Sequence, residues 1–396
     1  MKVFQAPIEI AGQMGLLTKG LKALGHEVKS YNLWTTYLAY RRHIHNVSLS
    51  RLQSTFERHK AEFDVFHFHY GQGFTTNHAE FRYAGRKGKV ALMHYWGSDV
   101  RTESKATANN PYAKLIGQFE DERRVKRHLK RHSRYFPACI VQDFEVVPYV
   151  VEYFDRVYVL PVAVDLAKFT PRYPSGEGEE PVILHAPTQP YFKGTAYIEE
   201  TLQRLRDEGF RFRYQKVEGM SHEEALKQYK TADLVIDQVL CGSHGLFAVE
   251  AMAYGKPVIS YIREDLRMHF PEDLPIVSAN PATLYDAVRR LLVHPETWAE
   301  MGRKGRRYVE RCHALPAVAK SLDWIYRRER RLRETGDEHP TRPCVIQWLG
   351  AELRCYPIHR STRRVDVRQI PVPKPKRSGV RRGSRIAART QVRGVR

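Results

Sequence analysis

Short apolar runs alternate with helical or irregular stretches along this chain, and the alternation stops once near the middle and then begins again. In the first half, Lys2–Gln5 reads as a strand, "IAGQMG" (10–15) as a glycine turn and "LLTKGLKALG" as a helix ending on Gly25. "HEVKSYNL" (26–33), "FDVFHFHY" (63–70), "KVALMHYW" (89–96) and "ACIVQ" (138–142) follow as further strands. Strands separated by helices in this rhythm assemble a parallel sheet covered on both faces. "VYVLPVAVDLAKFTPRYPSGEGEE" (157–180) interrupts the rhythm with proline, glycine and acid, and reads as a linker whose irregular part is 166–180. The rhythm then restarts with "PVILHAPT", "GTAYIEETLQRLRDEG", "FRFRYQKVE", "SHEEALKQYKTA" and "DLVIDQVL". Ser221 with Glu224 three residues on predicts a capping box. The expected fold is therefore α/β: two doubly wound Rossmann-like domains, 1–165 and 181–310, facing each other across a cleft. Helices in 311–340 are expected to return to the first domain. In such sheets ligands bind outside the carboxyl ends of the strands.

Charge is unevenly placed. Residues 341–396 hold 15 Lys or Arg against 2 acids, which is +13 of the net +21. This segment is expected to be a basic, largely disordered tail, above all from Val372 onward. Five scattered cysteines without a CxxC pair argue for reduced thiols. No apolar run approaches a spanning helix, and the N-terminus lacks a signal-peptide core. A cytoplasmic protein is expected.

The stretch "GSHGLFAVEAMAYGKPVIS" (242–260) carries the most chemistry. A helix is expected from Leu246 to Ala253, opened by Gly245 and closed by Gly255. Its mouth offers backbone N–H groups and a dipole that favour phosphate. Glu250 is placed to accept hydrogen bonds from a ribose diol, or to be salt-bridged on the helix. Lys193 in "QPYFKGT" ends another strand-to-helix loop, either solvated or neutralising a diphosphate. Such a pocket needs no metal.

Read together, "GLFAVEAMAYGKPVIS", "LPVAVDLAKFTP" (160–171), "HAPTQPYFKGT" (185–195), "HYWGSDVR" (94–101) and "IAGQMG" resemble, in order and spacing over about residues 1–330, the motifs of the retaining glycosyltransferases of family 4, which have the GT-B fold. The resemblance implies transfer of a sugar from a UDP- or GDP-sugar to an acceptor hydroxyl with retention, without a further cofactor or an essential metal. It implies that Glu250 holds the ribose. Lys193 and the amides near Gly245 and Leu246 would bind the diphosphate, and Gly12 and Gln13 would close over it. His94 and Asp99 would be catalytic at the acceptor end. Two positions depart from the pattern. Gly242 stands where the family's first motif glutamate contacts the sugar, which leaves Ser243, His244 or Asp237 to take its place. Thr188 stands at the usual arginine position of the phosphate loop, and losing one cation there costs about 1.5–3 kcal/mol.

His67 and His69 share a strand face beside His94. Three histidines invite a metal, but no carboxylate follows at ligand spacing. His69 and His94 are expected on the acceptor side of the cleft, with His67 in its wall. "ERRVKRHLKRHSRYF" (122–136) is a cationic helix, solvated or in contact with a membrane surface near a glycan or lipid-linked acceptor. Three readings compete. The first is a glycosyltransferase of cell-surface polysaccharide or glycolipid synthesis, cytoplasmic or peripheral at the inner membrane face. The second is a non-catalytic nucleotide-sugar binder. The third, nucleic-acid binding through the tail, ranks last because no nucleic-acid-binding motif accompanies the arginines.

Overall fold

The computed structural model describes residues 1–86, 88–178, 180–335, 343–350, 352–358, 365 and 370–371. They form two α/β units, each around its own sheet. In the first unit the strands are β1 (Lys2–Ala6), β2 (Glu27–Asn32), β3 (His45–Asn46), β4 (Val65–His69), β5 (Val90–Tyr95), β6 (Ala138–Val141) and β7 (Arg156–Val159). They lie in the order β3-β2-β1-β4-β5-β6-β7, all parallel. The order reverses between β1 and β4, so the loops after these two strands, carrying Gly12 and Gly71, splay apart at the switch point where ligands bind. Every residue of β4 and β5 is buried, as in a sheet with both faces covered.

The second unit contains β8 (Val182–His185), β9 (Arg213–Lys216), β10 (Leu234–Ile236), β11 (Val258–Ile259) and β12 (Ile276–Val277), ordered β12-β11-β10-β8-β9 and parallel throughout. The long helix Leu315–Thr335 crosses back onto the first unit. It lies so close to the helix Gln13–Ala23 that a Cβ on Gly20 would sit 2.6 Å from that of Ala319. Its Tyr326 hydroxyl bonds His67 Nδ1 (2.7 Å), and its Glu329 carboxylate accepts from Arg156 and from the Tyr158 hydroxyl (2.6 Å).

Two boundaries differ from the sequence reading. The linker does not begin at 157, because residues 157–159 complete β7; the proline that suggested a break follows the strand. The segment after 341 is not only tail. β13 (Cys344–Leu349) joins β7 in parallel and β14 (Glu352–Pro357) returns antiparallel, with β15 (Ile370–Pro371) beyond it. Val345, Ile346 and Tyr356 are fully buried there, a local apolar pattern masked by the segment's average charge. Residues 372–396, where disorder is expected, lie outside the described residues.

Candidate functional site

The helix Leu246–Ala253 stands at the carboxyl edge of the second sheet, with Gly245 at its mouth and Gly255 in the left-handed region after it. Its mouth is already filled from within. Asp237, fully buried just after β10, accepts the Gly245 amide on Oδ2 (2.7 Å), and its Oδ1 is ion-paired with the Lys193 ammonium. The phosphate role expected of Lys193 and the Gly245 amide is thus taken by a carboxylate in this conformation. A buried ammonium needs a counter-charge, and Asp237 supplies it. Thr188 is exposed on the same loop and lines none of the cavities described below. Leu246 is half-buried at the wall of an inter-domain cavity of about 60 Å³.

Glu250 is 5% exposed and accepts a hydrogen bond from His222 Nε2 (2.7 Å). Burial opposes the charge on His222, but the Glu250 carboxylate outweighs it and holds the imidazole above its ordinary pKa. Both residues face a cavity of about 460 Å³ between the two units, lined on the other side by Gly12 and Gly15. Lys168, Lys227, Lys230 and Arg41 line it too, and none of them forms an ion pair among the described residues. The loop 36–43 crosses this cleft. His222 N donates to Leu38 O (3.2 Å), Arg42 pairs with Glu223 (2.8 Å), and the Tyr40 ring lies 5.0 Å from the His222 ring, tilted by 43°. Tyr40 also presses on Gly12, whose φ of +76° suits the glycine that is there. Sequence reasoning missed this strap, since no motif marks it.

Gln13 does not reach the cleft. It clamps the hinge, accepting from Ala163 N (2.7 Å) and donating to Ala163 O (3.2 Å). Ser243 ties the units together by donating to Asp143 Oδ2 (2.9 Å), and the His244 ring lines the 60 Å³ cavity with neither nitrogen hydrogen-bonded among the described residues.

On the first unit, His94 and His69 are not in the cleft wall as expected. They are 1% and 0% exposed, stacked with His67 and Trp96 inside the sheet's covered face. His69 Nε2 donates to Gln5 Oε1 (3.1 Å). The ligand atoms of His67, His69 and His94 lie within 4.8 Å of one another. The His67 and His69 rings stack at 4.2 Å and 22°, and His67 Nδ1 is taken by Tyr326 and His69 Nε2 by Gln5. All three are pushed well below the ordinary imidazole pKa by burial, His67 to about 3.

Asp99 lines a second cavity, of about 800 Å³, within the first unit. One of its oxygens accepts from the amides of Trp96 (3.0 Å) and Gly97 (2.9 Å), and burial raises the carboxyl to about 7. Trp34, 65% exposed, stands at the wall of this cavity, and Arg124, Val125, His128 and Leu129 present one face of the cationic helix Glu122–His132 to it. Gln189, from the loop before Lys193, lines the same cavity, so it opens toward the second unit. No helix among the described residues is long and apolar enough to cross a membrane.

Residues 202–322 match the family model described as glycosyl transferase-like. Among solved structures, the chain is similar to sucrose-phosphate synthase from Thermosynechococcus elongatus (16% identity, TM-score 0.59, covering 83% of this chain and 98% of that one). It is also similar to a glycosyltransferase from Rickettsia africae (14%, 0.57, 83% and 98%). A third is HepE from Anabaena in complex with UDP and glucose (11%, 0.56, 82% and 99%). No curated protein matches. The fold, two parallel-sheet units facing across a cleft, is the GT-B arrangement of these structures.

Proposed function

We propose that this chain is a glycosyltransferase that moves a sugar from a nucleoside diphosphate sugar to an acceptor hydroxyl with retention. The observation that carries this reading is Glu250. A carboxylate held ready by His222 faces an inter-domain cavity whose wall carries four cations without ion-pair partners among the described residues, a chemistry that suits a ribose diol attached to phosphates. HepE was solved with UDP, which supports a uridine nucleotide as the first donor to try. The larger cavity beside Asp99 is the acceptor side in this reading, and the cationic helix beside it suits an acceptor at an anionic surface. Leaving-group stabilisation is then electrostatic, which is usually the largest catalytic term. A glycan or lipid-linked acceptor of cell-surface synthesis, met in the cytoplasm or at the inner membrane face, completes the proposal.

Titration calorimetry with UDP and GDP, without added metal, tests it on the wild type and on Glu250→Ala. Micromolar binding of one nucleotide, lost in the variant, supports the donor site. Binding of neither rejects it. A second reading, nucleotide-sugar binding without transfer, is favoured by one feature: Lys193 is neutralised by Asp237 and therefore withheld from a leaving diphosphate.

A further inference from the structure

Among the described residues, Glu9 is the one common to the linings of the 460 Å³ and 800 Å³ cavities, the first holding Glu250 and the second Asp99. It lies in the loop after β1, at the switch point of the first sheet. The Asn32 side chain fixes its backbone by accepting from Glu9 N (2.9 Å). Its carboxylate accepts from Met14 N (3.2 Å) and Gly15 N (2.8 Å) at the start of the helix Gln13–Ala23. No cation pairs with it among the described residues. Each carboxylate oxygen keeps a lone pair after these bonds.

Where a donor fills one cavity and an acceptor the other, the shared wall is where they react. We propose that Glu9 is a catalytic residue, the base that takes the proton of the acceptor hydroxyl as the sugar is transferred; this rests on the glycosyltransferase reading above. In the step, the acceptor oxygen forms a bond to the anomeric carbon on the same face from which the phosphate departs, so that configuration is retained, and its proton passes to the Glu9 carboxylate. The bond from the anomeric carbon to the phosphate oxygen breaks, and the nucleoside diphosphate leaves with the electron pair. Burial raises the Glu9 carboxyl to about 7, against the pull of the backbone amides of Gly15, Met14, Ile10 and Gln13, which matches a base working near neutrality. Titratable and charged groups share both cavities with it: Lys19, Tyr40, Arg41, Arg42, His43, Asp165, Lys168, His222, Glu223, Lys227, Lys230, Glu250 and Tyr254 on the donor side, and Tyr70, Tyr95, Asp99, Glu120, Arg124, His128 and His132 on the acceptor side; Tyr40 feels the Glu9 charge directly. Asp99 is poised at a similar pKa but lines only the acceptor cavity, with one oxygen tied to its own loop.

The experiment measures UDP and GDP binding first, then release of the nucleoside diphosphate from a panel of UDP- and GDP-sugars, for wild type, Glu9→Gln and Asp99→Asn. Glu9→Gln is expected to bind nucleotide within about threefold of wild type and to lose about 100-fold or more in rate. The wild-type rate is expected to climb with pH up to about 7 and then level, with the climb absent in Glu9→Gln and kept in Asp99→Asn. A Glu9→Gln rate within threefold of wild type, with the same pH dependence, overturns the proposal and leaves Glu9 as a helix cap. Should Glu9→Gln fail to fold, a wild-type rate that is flat through neutrality overturns it without any substitution. Wild type that binds no nucleotide removes the glycosyltransferase reading itself. Wild type that binds nucleotide but splits no donor selects the non-catalytic reading and removes Glu9 as a base.

Discussion

Asp237 holds Lys193 with one carboxylate oxygen and the Gly245 amide with the other, so one buried acid satisfies both the cation and the helix mouth. Glu9 meets the helix start of the first unit in a related way, accepting from the amides of Met14 and Gly15 beside Gly12, but without a paired cation among the described residues. At these two helix starts the amides are therefore occupied by a carboxylate of the chain. A diphosphate that binds at the Gly245 helix mouth must displace or share Asp237.

That competition gives the first prediction. Asp237→Asn removes the charge that neutralises Lys193 while keeping the shape. Breaking a buried pair by removing one partner costs about 3 kcal/mol, so the melting temperature falls. The unpaired ammonium then becomes available, and affinity for UDP or GDP rises several-fold in calorimetry. A fall in affinity, with the variant still folded, would show Asp237 to be a ligand contact instead of a competitor.

The second prediction concerns pH. His222 has its folded pKa raised above the ordinary 6.5 by Glu250. Its stabilising contribution is full below the unfolded pKa and is lost as pH rises through the folded value. The stability difference between wild type and Glu250→Gln, followed by thermal melts, should be largest below about pH 6.5. It should shrink as the buffer is made more alkaline. A charge-assisted hydrogen bond of this kind contributes about 1.5–3 kcal/mol. A difference that does not change with pH would place the effect of Glu250 elsewhere.

A third prediction tests the strap. Gly12→Ala puts a methyl 2.9 Å from the Tyr40 ring on a residue at φ +76°. The left-handed backbone alone costs about 1–2 kcal/mol for a residue with a Cβ, and Tyr40 must also move off His222. The variant is expected to melt lower and to be cut faster by protease within 36–43. Arg42→Glu reverses an exposed pair and should change stability by less than about 1 kcal/mol. Equal protease sensitivity of Gly12→Ala and wild type would mean that Tyr40 does not hold the loop down.

Much of the architecture was legible because its signals are local. Gly245 and Gly255 bracket Leu246–Ala253, and Ser221 with Glu224 forms the capping box that their spacing predicts. What failed was orientation. His69 and His94 sit on strands buried on both faces, so alternation says that they share a side of the sheet and not which side meets the cleft. The partners of the site residues were also out of reach. Lys193 meets Asp237 across 44 residues, Glu250 meets His222 across 28, and Gln13 meets Ala163 across 150. Asp237 was one of three candidates to stand in for the missing motif glutamate, but its choice of Lys193 follows only from the packing of β8 against β10.

The last prediction separates the hairpin from the charge that follows it. β13 closes the β7 edge of the first sheet, and Gln347 on it donates to the His269 backbone in the second unit (2.8 Å). Cys344, Val345, Ile346, Tyr356 and Ile358 are all buried. At about 1.5–3 kcal/mol for each large apolar side chain, their loss exceeds the margin by which most domains are stable. A chain cut after Thr335 should therefore express poorly or melt far below the full chain, with the β7 edge open to pairing between molecules. A chain cut after Pro371 loses nine of the cations and none of these contacts. Its melting temperature should match the full chain within a few degrees, and its nucleotide affinity should be unchanged. Its retention on anionic vesicles should fall if the basic segment contributes to surface binding, and stay constant if the helix Glu122–His132 carries that contact alone. A cut after Thr335 that leaves the melting temperature unaltered would mean that the hairpin is only laid on the sheet and adds nothing to its stability.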